Sequence, residues 1–144
     1  MKYFKVSLGI FLALAVTRFI PHPPNFTSLI ALSFYVPAIF GTRYIPIMLF
    51  SFFLTDIIIG FHQILFFTWG SVFVIGYFSS YFLKNFFTRI LGALSGSIIF
   101  FILTNFGVWV AGSYGYTISG FFTCYLLALP FFTNAIVSTL LFSI

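Results

Sequence analysis

Seven ionised side chains, Lys2, Lys5, Arg18, Arg43, Asp56, Lys84 and Arg89, are all that this chain of 144 residues sets against water at pH 7. A soluble domain carries about 25% charged residues, because its surface has to be solvated. Here the share is 5%, beside 62% hydrophobic and 24% aromatic residues. Lipid must therefore be the solvent for most of the surface. In lipid the backbone satisfies its own hydrogen bonds, which leaves helices or a closed barrel. A barrel would show strands of alternating polarity, roughly 10 residues each, whereas runs such as Ile98 to Leu103 are apolar without a break. The expected fold is an all-α integral membrane protein.

A spanning helix needs about 20 apolar residues, with a range of roughly 17 to 25. Breaks at Pro, Gly, Asn and charged residues divide the chain into six such segments. The first runs from about Phe4 to Ile20 and stops at Pro21-His22-Pro23-Pro24-Asn25, a block too rich in proline to continue a helix. The second, Thr27 to Phe40, is short and contains Pro37; the third runs from Pro46, a good first-turn residue, to Gly60. The fourth covers Ile64 to Leu83, and the fifth Ile90 to Val110 after a polar step from Lys84-Asn85 to Arg89. The sixth is expected as one span, Gly120 to Phe142, with Pro130 in its interior. The six fill nearly the whole chain, so residues 1–144 read as a single transmembrane domain, a six-helix bundle. Lys2, Lys5 and Ala13-Leu14-Ala15 imitate a secretory signal, but the apolar run continues through Phe19 and Ile20 and reads as the first span.

The cations sit singly at the ends of apolar runs rather than in a stripe, so the net charge of +5 is a topology signal and not a nucleic-acid footprint. With six spans and a cytoplasmic N-terminus, the cytoplasmic segments hold Lys2, Lys5, Arg43, Lys84 and Arg89, and the opposite side holds Arg18 alone. This predicts a multi-pass protein of the bacterial inner membrane with both termini in the cytoplasm. It also gathers the unusual polar residues towards the outer face.

Asp56 is the only acidic side chain. A carboxylate within a membrane segment is costly and pairs with something, and Arg18 approaches the same level from the first span. Ligand coordination and a structural salt bridge both remain open for this pair. His22 and His62 flank it; two histidines without carboxylates or a His-x-x-x-His spacing make a weak metal signal, and backbone hydrogen bonding is the alternative role. Asn105 and Trp109 lie one helical turn apart and share a face. Asn134 follows Pro130 by one turn, and an Asn in a span serves as interhelical glue or as a ligand contact. Trp109, Tyr114 and Tyr116 suit an interfacial aromatic belt, or could stack on a flat organic molecule. Candidate binding residues are thus Arg18, His22, Asn25, Asp56, His62, Asn105, Trp109, Tyr116 and Asn134.

Gly92 and Gly96 form a Gly-x-x-x-Gly, and Gly9, Ala13 and Thr17 a second stripe of small residues at the same spacing. Such stripes let helices approach closely, within a chain or between chains. One carboxylate, two histidines and the single Cys124 leave no acid–base pair and no activated nucleophile, so no enzyme activity and no cofactor are expected. Without a phosphate-binding glycine motif, the chain would not hydrolyse ATP by itself.

Four blocks carry a resemblance: Arg18-Phe19-Ile20-Pro21-His22-Pro23-Pro24-Asn25-Phe26-Thr27, Thr55-Asp56-Ile57-Ile58-Ile59-Gly60-Phe61-His62, Thr104-Asn105-Phe106-Gly107-Val108-Trp109, and the stretch from Cys124-Tyr125 to Pro130-Phe131-Phe132-Thr133-Asn134. With them the chain resembles a family of small, uncharacterised bacterial membrane proteins catalogued as candidate transport proteins. That family is in turn similar in size and span count to the substrate-binding S components of energy-coupling-factor vitamin transporters. The resemblance implies a site near the outer face, under the loops after spans one, three and five. It also implies docking of the Gly9–Ala13–Thr17 stripe on a transmembrane coupling subunit served by ATPases. The function expected is binding of a small, vitamin-like micronutrient for uptake. The alternative is a non-catalytic accessory subunit of a larger membrane complex, and a membrane-embedded haem or metal protein is a third.

Overall fold

The computed structural model describes residues 1–144 and is entirely helical. Seven α-helices follow one another: α1 (Lys2–Phe19), α2 (Leu29–Phe40), α3 (Ile45–Ile59), α4 (Leu65–Phe78), α5 (Phe86–Val110), α6 (Ile118–Leu127) and α7 (Leu129–Leu141). Two 3₁₀ turns, Thr42–Tyr44 and Ser79–Phe82, lead into α3 and extend α4. Of 102 backbone hydrogen bonds, 83 lie inside these elements, which is the local closure that lipid demands. Large apolar side chains, Phe66, Ile118, Phe122 and Leu126 among them, stand exposed around the bundle, as a lipid-facing surface requires.

Three helical stretches are long and apolar enough to cross a membrane: 42–59, 65–82 and 86–110. The pair α6 and α7 would make a fourth, bent by 43° at its break. The six expected segments each contain helix, but two fall short of a span by these criteria. In α1 the 18 residues include Lys2, Lys5 and Arg18, and α2 has only 12 residues, roughly 18 Å at 1.5 Å per residue. The sixth segment is not the continuous helix expected. Pro130 enters the first turn of α7; it has no N–H to donate, and its ring excludes the carbonyl four residues back, so the helix ends at Leu127 and restarts at Leu129. The fifth helix starts earlier than expected. Asn85 accepts from the backbone N–H of Thr88, and Thr88 Oγ1 accepts from that of Asn85, a reciprocal cap that turns the polar step into a helix start.

The shortest helix of the first five is the most deeply placed. Eight of the twelve residues of α2 are buried, and Phe34, Ile30 and Val36 share one core with Leu14 of α1, Met48 and Phe52 of α3, Val72 and Ile75 of α4, Phe100 of α5 and Ala135 of α7. Two glycines of α5 make room for it. A Cβ on Gly92 would stand 2.5 Å from the Phe34 ring, and one on Gly96 would stand 3.2 Å from Ile75 and 3.5 Å from Ile30. The Gly92–Gly96 stripe is thus used inside the chain.

Alternation of the helices sets two ends. The N-terminus and connections 41–44 and 83–85 share one end, which holds Lys2, Lys5, Arg43, Lys84 and Arg89; there the Arg43 guanidinium lies 5.3 Å from the Tyr3 ring and 5.7 Å from that of Tyr44. Connections 20–28, 60–64 and 111–117 share the other.

Candidate functional site

At the second end, the last turn of α1 turns Arg18 towards α3. Its Nη2 stands 2.8 Å from Oδ1 of Asp56. Its Nη1 donates to Thr55 Oγ1 and, at 3.5 Å, to the Phe52 carbonyl, with the guanidinium 4.5 Å above the Phe52 ring. Thr55 in turn donates to that same carbonyl at 2.7 Å. Asp56 is fully buried, and its Oδ2 accepts the indole N–H of Trp69 from α4 at 3.0 Å. Oδ1 makes an ion-pair contact without hydrogen-bond geometry. Two opposite charges so enclosed hold each other in place, because losing either strands the other in a low dielectric.

Arg18 also faces a cavity of about 400 Å³, with His22, Asn25, Thr27, His62 and Thr68 around it and Leu29, Ile30, Phe52 and Phe100 among its apolar lining. A second cavity of about 280 Å³ adjoins it, sharing Asn25, Ile64, Thr68 and Phe100, and continues past Thr104, Asn105, Tyr114 and Cys124. Each lies in or near the size range of small-molecule sites, and each combines a mostly apolar lining with a few polar groups.

The connection 20–28 forms a wall of both. Asn25 takes a left-handed backbone (φ 61°), a conformation Asn tolerates better than most residues. The segment is latched from two sides. Asn134 donates its side-chain N–H to the Pro24 carbonyl at 3.0 Å and Ser138 its hydroxyl to that of Asn25 at 3.4 Å, both from α7. Across from them Ser28 donates its backbone N–H to Thr17 Oγ1 at 3.2 Å. His22 Nδ1 lies 2.8 Å from the Pro23 carbonyl. A carbonyl only accepts, so Nδ1 carries the proton and a neutral ring leaves Nε2 as an acceptor.

Of the nine expected binding residues, Arg18, His22, Asn25 and His62 line the larger cavity, and Asn25 and Asn105 the smaller. Four lie elsewhere. Asp56 stands behind Arg18, out of both linings. Trp109 donates to the Thr117 carbonyl at 3.3 Å and packs edge-on against Phe121 and Tyr116, so Trp109 and Tyr116 tie down the connection 111–117. Asn134 is spent on the latch. Tyr114, read as a belt residue or a stacking surface, lines the smaller cavity. Conversely, Thr68, Phe100, Thr104 and Cys124 line cavities without having been expected to bind, and Trp69 completes the ion pair. One cue existed for Trp69: an indole N–H in an apolar segment needs an acceptor. In the α1 stripe, Gly9 has nothing within 4 Å of a Cβ position and Ala13 is exposed, while Thr17 is engaged with Ser28.

No curated protein and no solved structure matches the chain. A family described as one of unknown function, DUF6580, matches residues 1–144, and the chain belongs to that family.

Proposed function

We propose that the protein is a membrane-embedded binding subunit for uptake of a small molecule, vitamin-like or another micronutrient. One observation carries this reading. Beneath the three connections at one end, adjoining cavities gather Arg18, His22, Asn25, His62 and Asn105, the scarce polar groups of an otherwise apolar chain. In this reading the bundle crosses the bacterial inner membrane six times, in the manner of an S component, with α6 and α7 forming one bent crossing. The lysine-bearing end then faces the cytoplasm under the positive-inside rule, and the cavities face outwards. ATP hydrolysis, where used, comes from partner subunits, with a coupling subunit docked on Gly9, Ala13 and Thr17. The chain itself catalyses no reaction.

The test is a thermal-shift and native mass-spectrometric screen of the purified protein against vitamins and metal ions. A ligand that raises the melting temperature, and does so less in an Asn105→Leu variant, supports the binding role. If no compound stabilises the protein while Arg18→Gln and Asp56→Asn merely lower its melting temperature, the binding role is wrong. A reporter fused to the C-terminus checks the orientation and is expected to score as cytoplasmic.

The exposed Gly9 and Ala13 also suit an accessory subunit that packs against a larger neighbour. Purification from native membranes separates the two: a stoichiometric large partner without ATPases favours the accessory role.

A further inference from the structure

Resting on the binding role just proposed, we infer that the paired cavities take a small monoanion, its carboxylate against Arg18 and an uncharged, hydrogen-bonding body in the second cavity. The charge arrangement is the first support. Arg18 is the only Arg, Lys, Asp or Glu in either lining, and its counter-ion Asp56 is completely buried on the far side. The ion pair is therefore presented to the cavity cation first.

The guanidinium also has capacity to spare. It carries five N–H donors in a planar fork that matches a carboxylate. Nη1 serves Thr55 and Phe52, and Nη2 faces Asp56 in a contact that lacks hydrogen-bond geometry. Such an arrangement leaves donors that a second carboxylate can share without expelling the first.

The remaining charges decide against other ligand classes. The chain has no second acidic side chain and neither lining contains one, so a cationic ligand would meet Arg18, with Asp56 behind it, and find no carboxylate of its own to pair with. A phosphate ester would bring up to two negative charges to one cation that Asp56 already half-neutralises. The other five cations stand at the opposite end of the bundle. Past the shared residues Asn25 and Thr68, the second cavity offers Thr104, Asn105, Tyr114 and Cys124, polar but uncharged. Asn105 spends one of its two side-chain N–H groups on the Phe101 carbonyl at 2.8 Å, which leaves its amide oxygen to accept and the other N–H to donate. Together with Nε2 of His22 this favours a body bearing hydroxyl or amide N–H groups.

Trp69 supplies a built-in reporter, because its N–H bonds the carboxylate that Arg18 would share. In a Trp109→Phe background it is the only indole. The full-length protein in nanodiscs is titrated with small hydroxy- and amido-monocarboxylates, each beside its own primary amide, amine and phosphate-ester analogue. The carboxylates are expected to shift the Trp69 emission and raise the melting temperature, and to bind at least about tenfold more tightly than the other three forms. The double variant Arg18→Gln, Asp56→Asn removes both charges without stranding either, and is expected to erase that preference. Arg18→Lys, which keeps the charge and loses the fork, is expected to reduce it and serves if the double variant does not fold. Equal binding of amide and carboxylate, or a preference that survives the double variant, overturns the inference and leaves the binding role standing. If no member of any class binds while the vitamin and metal-ion screen finds a ligand, the inference alone falls; if that screen finds none either, the binding role falls with it.

Discussion

Trp69 on α4 donates its indole N–H to Oδ2 of Asp56 at 3.0 Å, so the one carboxylate of the chain is held from two helices besides its own. Arg18 grips it from α1 and Trp69 from α4, while Asp56 itself belongs to α3. Three helices thereby converge on two oxygen atoms beside the larger cavity. The ion pair fixes the relative rotation of these helices, a task that apolar contacts in lipid perform poorly because lipid competes for the same surface.

Removing one charge should therefore cost far more than removing both. Arg18→Gln or Asp56→Asn alone is expected to destabilise the protein by about 3–5 kcal/mol, since each leaves its partner buried without a counter-ion. The double variant should lose clearly less than the sum. Thermal melts of the four proteins in one detergent give the coupling directly, and additive losses would contradict the mutual dependence of the pair.

Trp69→Phe keeps an aromatic ring between Phe53 and Phe66 but withdraws the donor from Asp56 Oδ2. A loss of about 1–3 kcal/mol is expected for the oxygen left unsatisfied. Trp109→Phe, which strips a donor from an exposed carbonyl, should cost well under half of that in the same assay.

The two small-residue stripes should respond oppositely to added methyl groups. Gly92→Ala places a Cβ 2.5 Å from the Phe34 ring and 2.7 Å from Phe82, where α2 and the 3₁₀ turn have little room to give. About 1–3 kcal/mol of destabilisation is expected from overpacking. Gly9→Ala meets nothing within 4 Å and should be neutral or mildly stabilising through helix propensity. Melting temperatures measured side by side distinguish them.

Asn134→Ala should free the connection 20–28 from α7. The loss in global stability is expected to be modest, about 0.5–1.5 kcal/mol, but the local effect larger. Hydrogen exchange should accelerate at the amides of Asn25 and Phe26, whose turn is closed by a 3.0 Å bond from Phe26 N–H to the Pro23 carbonyl. Unchanged protection there would mean that Ser138 alone holds the latch.

Charge scarcity made the central pair legible. A lone carboxylate in lipid had to find the one cation at its own level, and Arg18 meets Asp56 as that logic requires. Proline and glycine breaks likewise located the helices to within a few residues. What the sequence hid was whatever depends on packing between helices. Thr68, Thr104 and Phe100 line the cavities, yet threonines and phenylalanines are scattered through every apolar segment, and nothing in their spacing separates a lining residue from a lipid-facing one. Trp109 and Asn105 share a helix face one turn apart, but α6 covers the first and leaves the second beside an opening. Pro130 was visible as a disturbance, but whether it kinks or breaks a helix is decided by the turn before it, where Ala128 already leaves the regular hydrogen-bond ladder.

The latch between Asn134 and Pro24 joins residues 110 positions apart. A chain that emerges from the ribosome N-terminus first must insert α1 and its proline-rich connection long before α7 exists. Until then the segment 20–28 has no partner on its α7 side, and the smaller cavity lacks Phe131 from its lining. The latched form of this connection is therefore reached only after α7 has been made. A chain cut short before α7 would keep the Arg18–Asp56 pair and the lining of the larger cavity but leave the connection 20–28 held from the Thr17 side alone.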